Sequence, residues 1–127
     1  MEFTKIHSDE RGDIYSLTGL NQYAEVVLFK TKAGFARGGC IHNRSSEHIC
    51  ILEGEIDYAF GNDSADAEIH KVRLNVGENF VIAKNTPHYF YSLTDSIVLE
   101  WGATLEEKKE KYMRYRIIVD KINESNS

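Results

Sequence analysis

The stretch Gly34 to Gly54 reads GFARGGCIHNRSSEHICILEG. It sets a thiol, an imidazole and a carboxylate close together, at Cys40, His42 and Glu47, and closes on a glycine at each end. In an extended strand successive side chains alternate faces, so Cys40 and His42 point one way and Ile41 the other. Glu47 follows a short loop and opens the next strand. Its alternation partners are Ile49 and Ile51, so that face enters a core. A shorter stretch, Gly77 to His88, answers the first and ends on a second imidazole, with Pro87 pre-setting the backbone before it. Two imidazoles, a carboxylate and a thiol can therefore converge inside a β-barrel.

Outward from that stretch the chain has the same texture. Short segments rich in Val, Ile, Tyr and Phe alternate with glycine-marked breaks, which is an all-β pattern. The spacing predicts strands over 3–6, 13–18, 23–31, 36–42, 47–53, 55–60, 67–74, 79–83, 87–93 and 96–101. Gly12, Gly19, Gly34, Gly54, Gly61, Gly77 and Asn85 fall at or near the breaks, and Gly61-Asn62-Asp63-Ser64 reads as a loop. So many short strands predict a sandwich or closed barrel. The pattern changes after Gly102. Thr104-Leu105-Glu106-Glu107 matches a capping box, and Leu105, Tyr112, Tyr115, Val119 and Ile122 then form one apolar stripe. A helix over about 104–122 is expected, covering an open end or face of the barrel, although Ile117-Ile118-Val119 is β-branched and could end it early.

Composition bounds what such a chain can do. Its 127 residues predict a single domain, with a barrel core over about 13–103. No apolar run approaches a membrane span, and the charged start MEFTKIHSDERGD has no apolar signal region, so a cytoplasmic protein is expected. The net charge is −5 with no visible basic face, which argues against nucleic acid. An anionic small ligand remains compatible, because a few inward Arg or Lys groups suffice to hold one. Two cysteines, Cys40 and Cys50, do not make a disulfide framework, although a bridge between them stays open. The strand Tyr23-Ala24-Glu25-Val26-Val27-Leu28-Phe29 is apolar on both sides, which reads as an edge needing cover and predicts a homodimer.

The positions of these residues resemble the two motifs of the cupin superfamily. Gly34, His42, Glu47 and Gly54 fall at the spacing of the first motif, with Cys40 where its first His is usual. Gly77 and His88 match the second, with Ala83, Asn85 and Ser92 at its Pro, second Gly and Asn positions. The resemblance covers about residues 23–101 and implies a double-stranded β-helix, a jelly-roll barrel. It also implies a metal site, with Cys40, His42, Glu47 and His88 as the ligands. Those donors suit one divalent transition ion, Zn²⁺, Fe²⁺, Ni²⁺ or Mn²⁺, with a thiolate tilting the choice toward softer ions. Cys40 reads equally as a small core residue.

A narrower resemblance adds a second expectation. Asp9-Glu10-Arg11-Gly12-Asp13 and Arg37-Gly38 look like features of nucleotide-sugar cupins, the ketoisomerases and related epimerases. That likeness implies proton transfer beside a ketone without a metal. His42 would be the base, His88 a second pocket imidazole, Tyr58 or Tyr91 a partner acid, and Arg37 with Glu47 the substrate contacts. The leading expectation is thus a sugar or nucleotide-sugar isomerase or epimerase of carbohydrate metabolism. A metal-dependent dioxygenase or isomerase built on the same residues, and a non-catalytic ligand-binding cupin, are the alternatives. His48 is expected at a surface or interface, and His7 and His70 at the surface.

Overall fold

A computed structural model describes residues 2–18, 24–43, 45–104 and 110–126. Eleven strands and one helix follow in order: β1 (Glu2–Asp9), β2 (Gly12–Thr18), β3 (Ala24–Thr31), β4 (Ala36–Ile41), β5 (Glu47–Glu53), β6 (Glu55–Phe60), β7 (His70–Asn75), β8 (Asn79–Ile82), β9 (His88–Ser92), β10 (Ser96–Thr104), β11 (Glu110–Lys111) and α1 (Met113–Glu124). They form two antiparallel sheets. One has six strands in the order β1-β2-β3-β10-β5-β8, the other five in the order β11-β4-β9-β6-β7. This is the expected jelly-roll class, and each of the ten expected strands has a counterpart at nearly its expected bounds.

Alternation explains the filling. Ile49 and Ile51 of β5, Val98 of β10 and Ile82 of β8 face Ile56 and Tyr58 of β6, Leu74 of β7 and Phe90 of β9 across the space between the sheets. Their intervening residues point outward, as at Leu52 and Val81, which are exposed. The chain crosses from β5 in one sheet to β6 in the other by a tight turn at Gly54, whose φ is +85°. A Cβ there would lie 2.2 Å from the Asp95 carbonyl oxygen, so no larger residue fits.

Three expectations change. β3 lies between β2 and β10, so it is an interior strand rather than an edge. Being apolar on both faces is a mark of cover on both sides as much as of a missing neighbour. The reason for expecting a homodimer at that strand goes with it. The helix also starts late. Thr104 is the last residue of β10, and Tyr112 stands at the helix N-cap with no side-chain cap bond. Leu105 and Glu107 lie outside the described residues. The rest of the stripe holds: Tyr115 and Val119 are buried on the outer face of the five-stranded sheet against Ala36, Ala59 and Tyr89, with Tyr112 and Ile122 beside them. Ile117-Ile118-Val119 sits mid-helix, because burying Val119 outweighs the few tenths of a kcal/mol a β-branched residue costs there. Finally, no disulfide joins Cys40 on β4 and Cys50 on β5.

Candidate functional site

The site lies inside the barrel, and a bulge in β4 aims it. Arg37, Gly38 and Cys40 pair with Phe90, Tyr89 and His88 of β9, with a register shift between Gly38 and Cys40. Strict alternation would turn Arg37 and Cys40 to opposite faces; one extra residue restores them to the same face. Gly38 and Gly39 absorb that residue at φ +107° and +81°. Gly39 is also pressed by α1, since a Cβ there would lie 2.9 Å from the Arg116 Cα. The helix backs this bulge further. Tyr112 N–H donates to the Gly39 carbonyl at 2.8 Å, and Arg116 Nη1 donates to that of Gly38 at 2.9 Å. Asn123 both donates to the Ala36 carbonyl and accepts its N–H.

The second motif reaches the same place by another route. Asn85 has φ +63°, the positive-φ conformation that Asn tolerates best after Gly. Its N–H donates to the His42 carbonyl at 2.6 Å, tying the turn before β9 to the end of the first motif. The Asn at the motif's second Gly position thus keeps the backbone shape that a glycine would give. His88 then opens β9, with its Nδ1 2.8 Å from the Thr86 carbonyl oxygen. A carbonyl only accepts, so Nδ1 carries the proton and Nε2 presents its lone pair. Cys40 Sγ lies 3.6 Å from that Nε2.

Behind this pair, His42 Nε2 lies 2.9 Å from Glu47 Oε1, and the two residues are 2% and 1% exposed. The His42 and His88 rings stack with centroids 5.1 Å apart, and Tyr58 stacks on His88 at 5.9 Å. Burial lifts the Tyr58 phenol well above its usual pKa, and the negative charge of Glu100, Cys40 and Glu47 lifts it further, so it stays a neutral donor. Arg37 donates from Nε to Thr31 Oγ1 at 2.8 Å and from Nη2 to the Lys30 carbonyl at 3.1 Å. Its Nη1 is buried without a hydrogen-bond partner among the described residues. Burial, with the nearby Arg11 charge, lowers its pKa to about 10, so it remains a cation at neutral pH.

A cavity of about 370 Å³ opens onto this centre. Arg37, Cys40, Tyr58, His88 and Glu100 line it, and His7 and Arg11 of the first hairpin reach its wall as well. His42 and Glu47 lie deeper and do not. The sequence-derived residues Arg37, Cys40, His42, Glu47, Tyr58 and His88 are thus brought together. Tyr91 is not: it sits beneath α1, in a separate hollow with Asp57, Lys71 and Ile122. In β9 it is three residues from His88 and so falls on the opposite face. His48 is exposed and stacked on Trp101, and His70 is exposed, as expected. His7 is exposed too, but it faces the cavity and lies 2.9 Å from Asp9 Oδ2.

Sequence reasoning missed Glu100, which is only 6% exposed. Period 2 over β10 puts Ser96, Val98 and Glu100 on one face, so a charge at an inward position was the available signal. Among the described residues the potential metal donors form two triads that share His42. One is Cys40, His42 and His88, the other His42, Glu47 and Glu100, with the donor atoms of each within 4.8 Å of one another. Imidazole, carboxylate and thiol donors at such separations fit a divalent transition ion.

Barrel and site together carry the cupin fold. CapF, the capsular polysaccharide assembling protein of Staphylococcus aureus, superposes with a TM-score of 0.75 at 17% identity over 87% of this chain. The chain spans about a third of that protein, 32% of its length. KdgF from Halomonas sp. matches with a TM-score of 0.62 at 18% identity, covering 80% of this chain and 84% of KdgF. Oxalate oxidase gives 0.62 at 17% identity over 69% of this chain and 45% of its own. At such identities these likenesses speak to fold. No sequence-family profile matches the chain, and no curated protein matches its sequence. Among the described residues, no helix is long and apolar enough to cross a membrane.

Proposed function

We propose that this chain is a cupin enzyme that moves a proton on a small, anionic carbonyl metabolite of the sugar or nucleotide-sugar kind, as an isomerase or epimerase. The observation that carries this reading is His88. Its tautomer is fixed by the Thr86 carbonyl, it stands on the cavity wall, and a neutral phenol and a buried guanidinium share that cavity. His88 Nε2, once substrate displaces the Cys40 thiol from its lone pair, removes the proton from a carbon next to the carbonyl. Tyr58 donates to the carbonyl oxygen as it gains charge; in isomerisation His88 returns the proton to the adjacent carbon, and in epimerisation a proton from solvent reaches the opposite face of the same carbon. Arg37 Nη1 takes an anionic group of the substrate. The base role thus moves to His88 from His42, which lies behind the wall. The fold likeness to a capsular polysaccharide assembling protein fits a sugar substrate.

The buried donors around His42 would hold a divalent metal ion. Such an ion supplies Lewis-acid stabilisation of the oxyanion formed when the proton leaves. The test is exchange: keto-sugar nucleotides incubated with the protein in D₂O should take up one solvent deuteron beside the carbonyl, read by NMR. Absence of exchange and of turnover across such a panel, with binding retained, would leave a ligand-binding cupin instead.

A further inference from the structure

We propose that the substrate carries a second anionic group and that Arg116 of α1 binds it, so that the cavity selects a short sugar derivative with an acidic group at each end. This rests on the anionic-substrate part of the proposed function, in which Arg37 takes one such group. It adds a specificity-determining residue that lies outside both cupin motifs.

The charge of the cavity points there first. The chain has 20 acidic and 15 basic residues. Yet among the described residues Arg11, Arg37 and Arg116 line the cavity against a single carboxylate, Glu100. Arginine suits a carboxylate or phosphate better than lysine does, because its planar fork can meet two oxygens at once.

The three guanidinium groups differ in what they have left to give. Arg11 donates from Nε and Nη2 to Asp9 and from Nη1 to the Ala36 carbonyl, so its donors are spent within the protein. Arg37 keeps its buried Nη1. Arg116 donates from Nη1 to the Gly38 carbonyl, which fixes its guanidinium at the bulge. Its Nε lies 3.4 Å from the carboxylate of the exposed Asp120. A surface pair of that kind contributes little, so Nη2 stays available to a ligand.

The two open donors approach from different sides. Arg37 is held by Thr31 and Lys30 at the end of β3 and feels the charges of Arg11, Asp9 and Asp13 in the first hairpin. Arg116 reaches the same cavity from the helix. A sugar acidic at both ends would be held at both. A nucleotide sugar instead concentrates its charge in one diphosphate. At about 370 Å³ the cavity is small for a ligand site, which favours the shorter molecule.

Calorimetric titration of the whole chain at fixed ionic strength tests this without assaying turnover. The probes are 6-phosphogluconate, acidic at both ends, gluconate and glucose 6-phosphate, each acidic at one end, and UDP-glucose. The wild type should bind 6-phosphogluconate about 10–100-fold more tightly than any of the other three. Arg116→Gln should bring it down to the level of the singly acidic sugars, and Arg116→Lys should restore part of the margin. A purely structural Arg116 would weaken every ligand alike. No margin in the wild type, tighter binding of UDP-glucose, a common loss for all ligands in Arg116→Gln, or failure of all four to bind overturns the inference. The wild-type comparison needs no variant, so the test survives if Arg116→Gln fails to fold. Deuterium exchange reports on proton transfer separately: a margin without exchange sinks that reading and leaves the two-anion cavity standing.

Discussion

His42 divides the centre of this barrel into two regions of different chemistry. On the cavity side stand a thiol, an imidazole and a phenol, in reach of a substrate. On the deep side stand two carboxylates, of which only Glu100 meets the cavity. Proton transfer needs groups that touch substrate and whose protonation is set by fixed neighbours, and under the proposed function His88 and Tyr58 of the first region take those roles. The second gathers two buried carboxylates beside an imidazole, a donor set that fits a divalent ion. One imidazole, His42, belongs to both sets of donors.

Removing the shared wall should have the largest effect. His42→Ala leaves the Glu47 carboxylate buried beside a void and should cost about 3–5 kcal/mol, read from urea denaturation near neutral pH. A loss below about 1 kcal/mol would mean that the two regions are not joined through this ring. His88→Gln should do the opposite: proton exchange falls by about 10²–10⁴-fold while the unfolding midpoint stays near that of wild type. Equal exchange in the two proteins would break the division of labour.

Gly39→Ala probes the bulge that turns Cys40 toward the cavity. Positive φ and the 2.9 Å approach to the Arg116 Cα should cost about 1–3 kcal/mol. A thermal scan that finds no change would show that α1 gives way freely at this point.

The smallest effect is expected at the cavity rim. Burial alone would raise the Asp9 pKa, but hydrogen bonds from Arg11 and His7 outweigh it and hold the carboxyl well below its usual 3.8. A lowered folded pKa means stabilisation that is present above about 3.8 and lost as the pH falls below it. Asp9→Asn should remove about 0.2–1 kcal/mol at neutral pH and flatten the acid limb of the stability curve. An acid limb that is unchanged would place its origin elsewhere.

Much of this was legible in the chain. The β5 and β10 alternations put Ile49, Ile51 and Val98 inside, and the motif spacing brought Cys40, His42, Glu47 and His88 together. What was not legible has specific causes. The thiol's role depends on a 3.6 Å contact between residues 48 apart in sequence, which no local pattern reports. Tyr91 passed as a site residue because tyrosine suits a proton donor, yet its place in β9 turned it to the helix. The capping box at Thr104 competed with a strand: pairing of β10 with β3 carries extended backbone to Thr104, and local propensity yields to that pairing.

By itself the sequence determined the strands, the breaks between them and the residue types that line the barrel, because alternation and glycine spacing act over a few positions. Only the tertiary structure decided which of those residues face the cavity, since that depends on a bulge at Gly38-Gly39 braced by a helix some 75 residues later. It alone brought Glu100 to His42. Burial, register and distance between strands far apart in the chain set the division between the two sides of that ring, and no stretch of residues carries them.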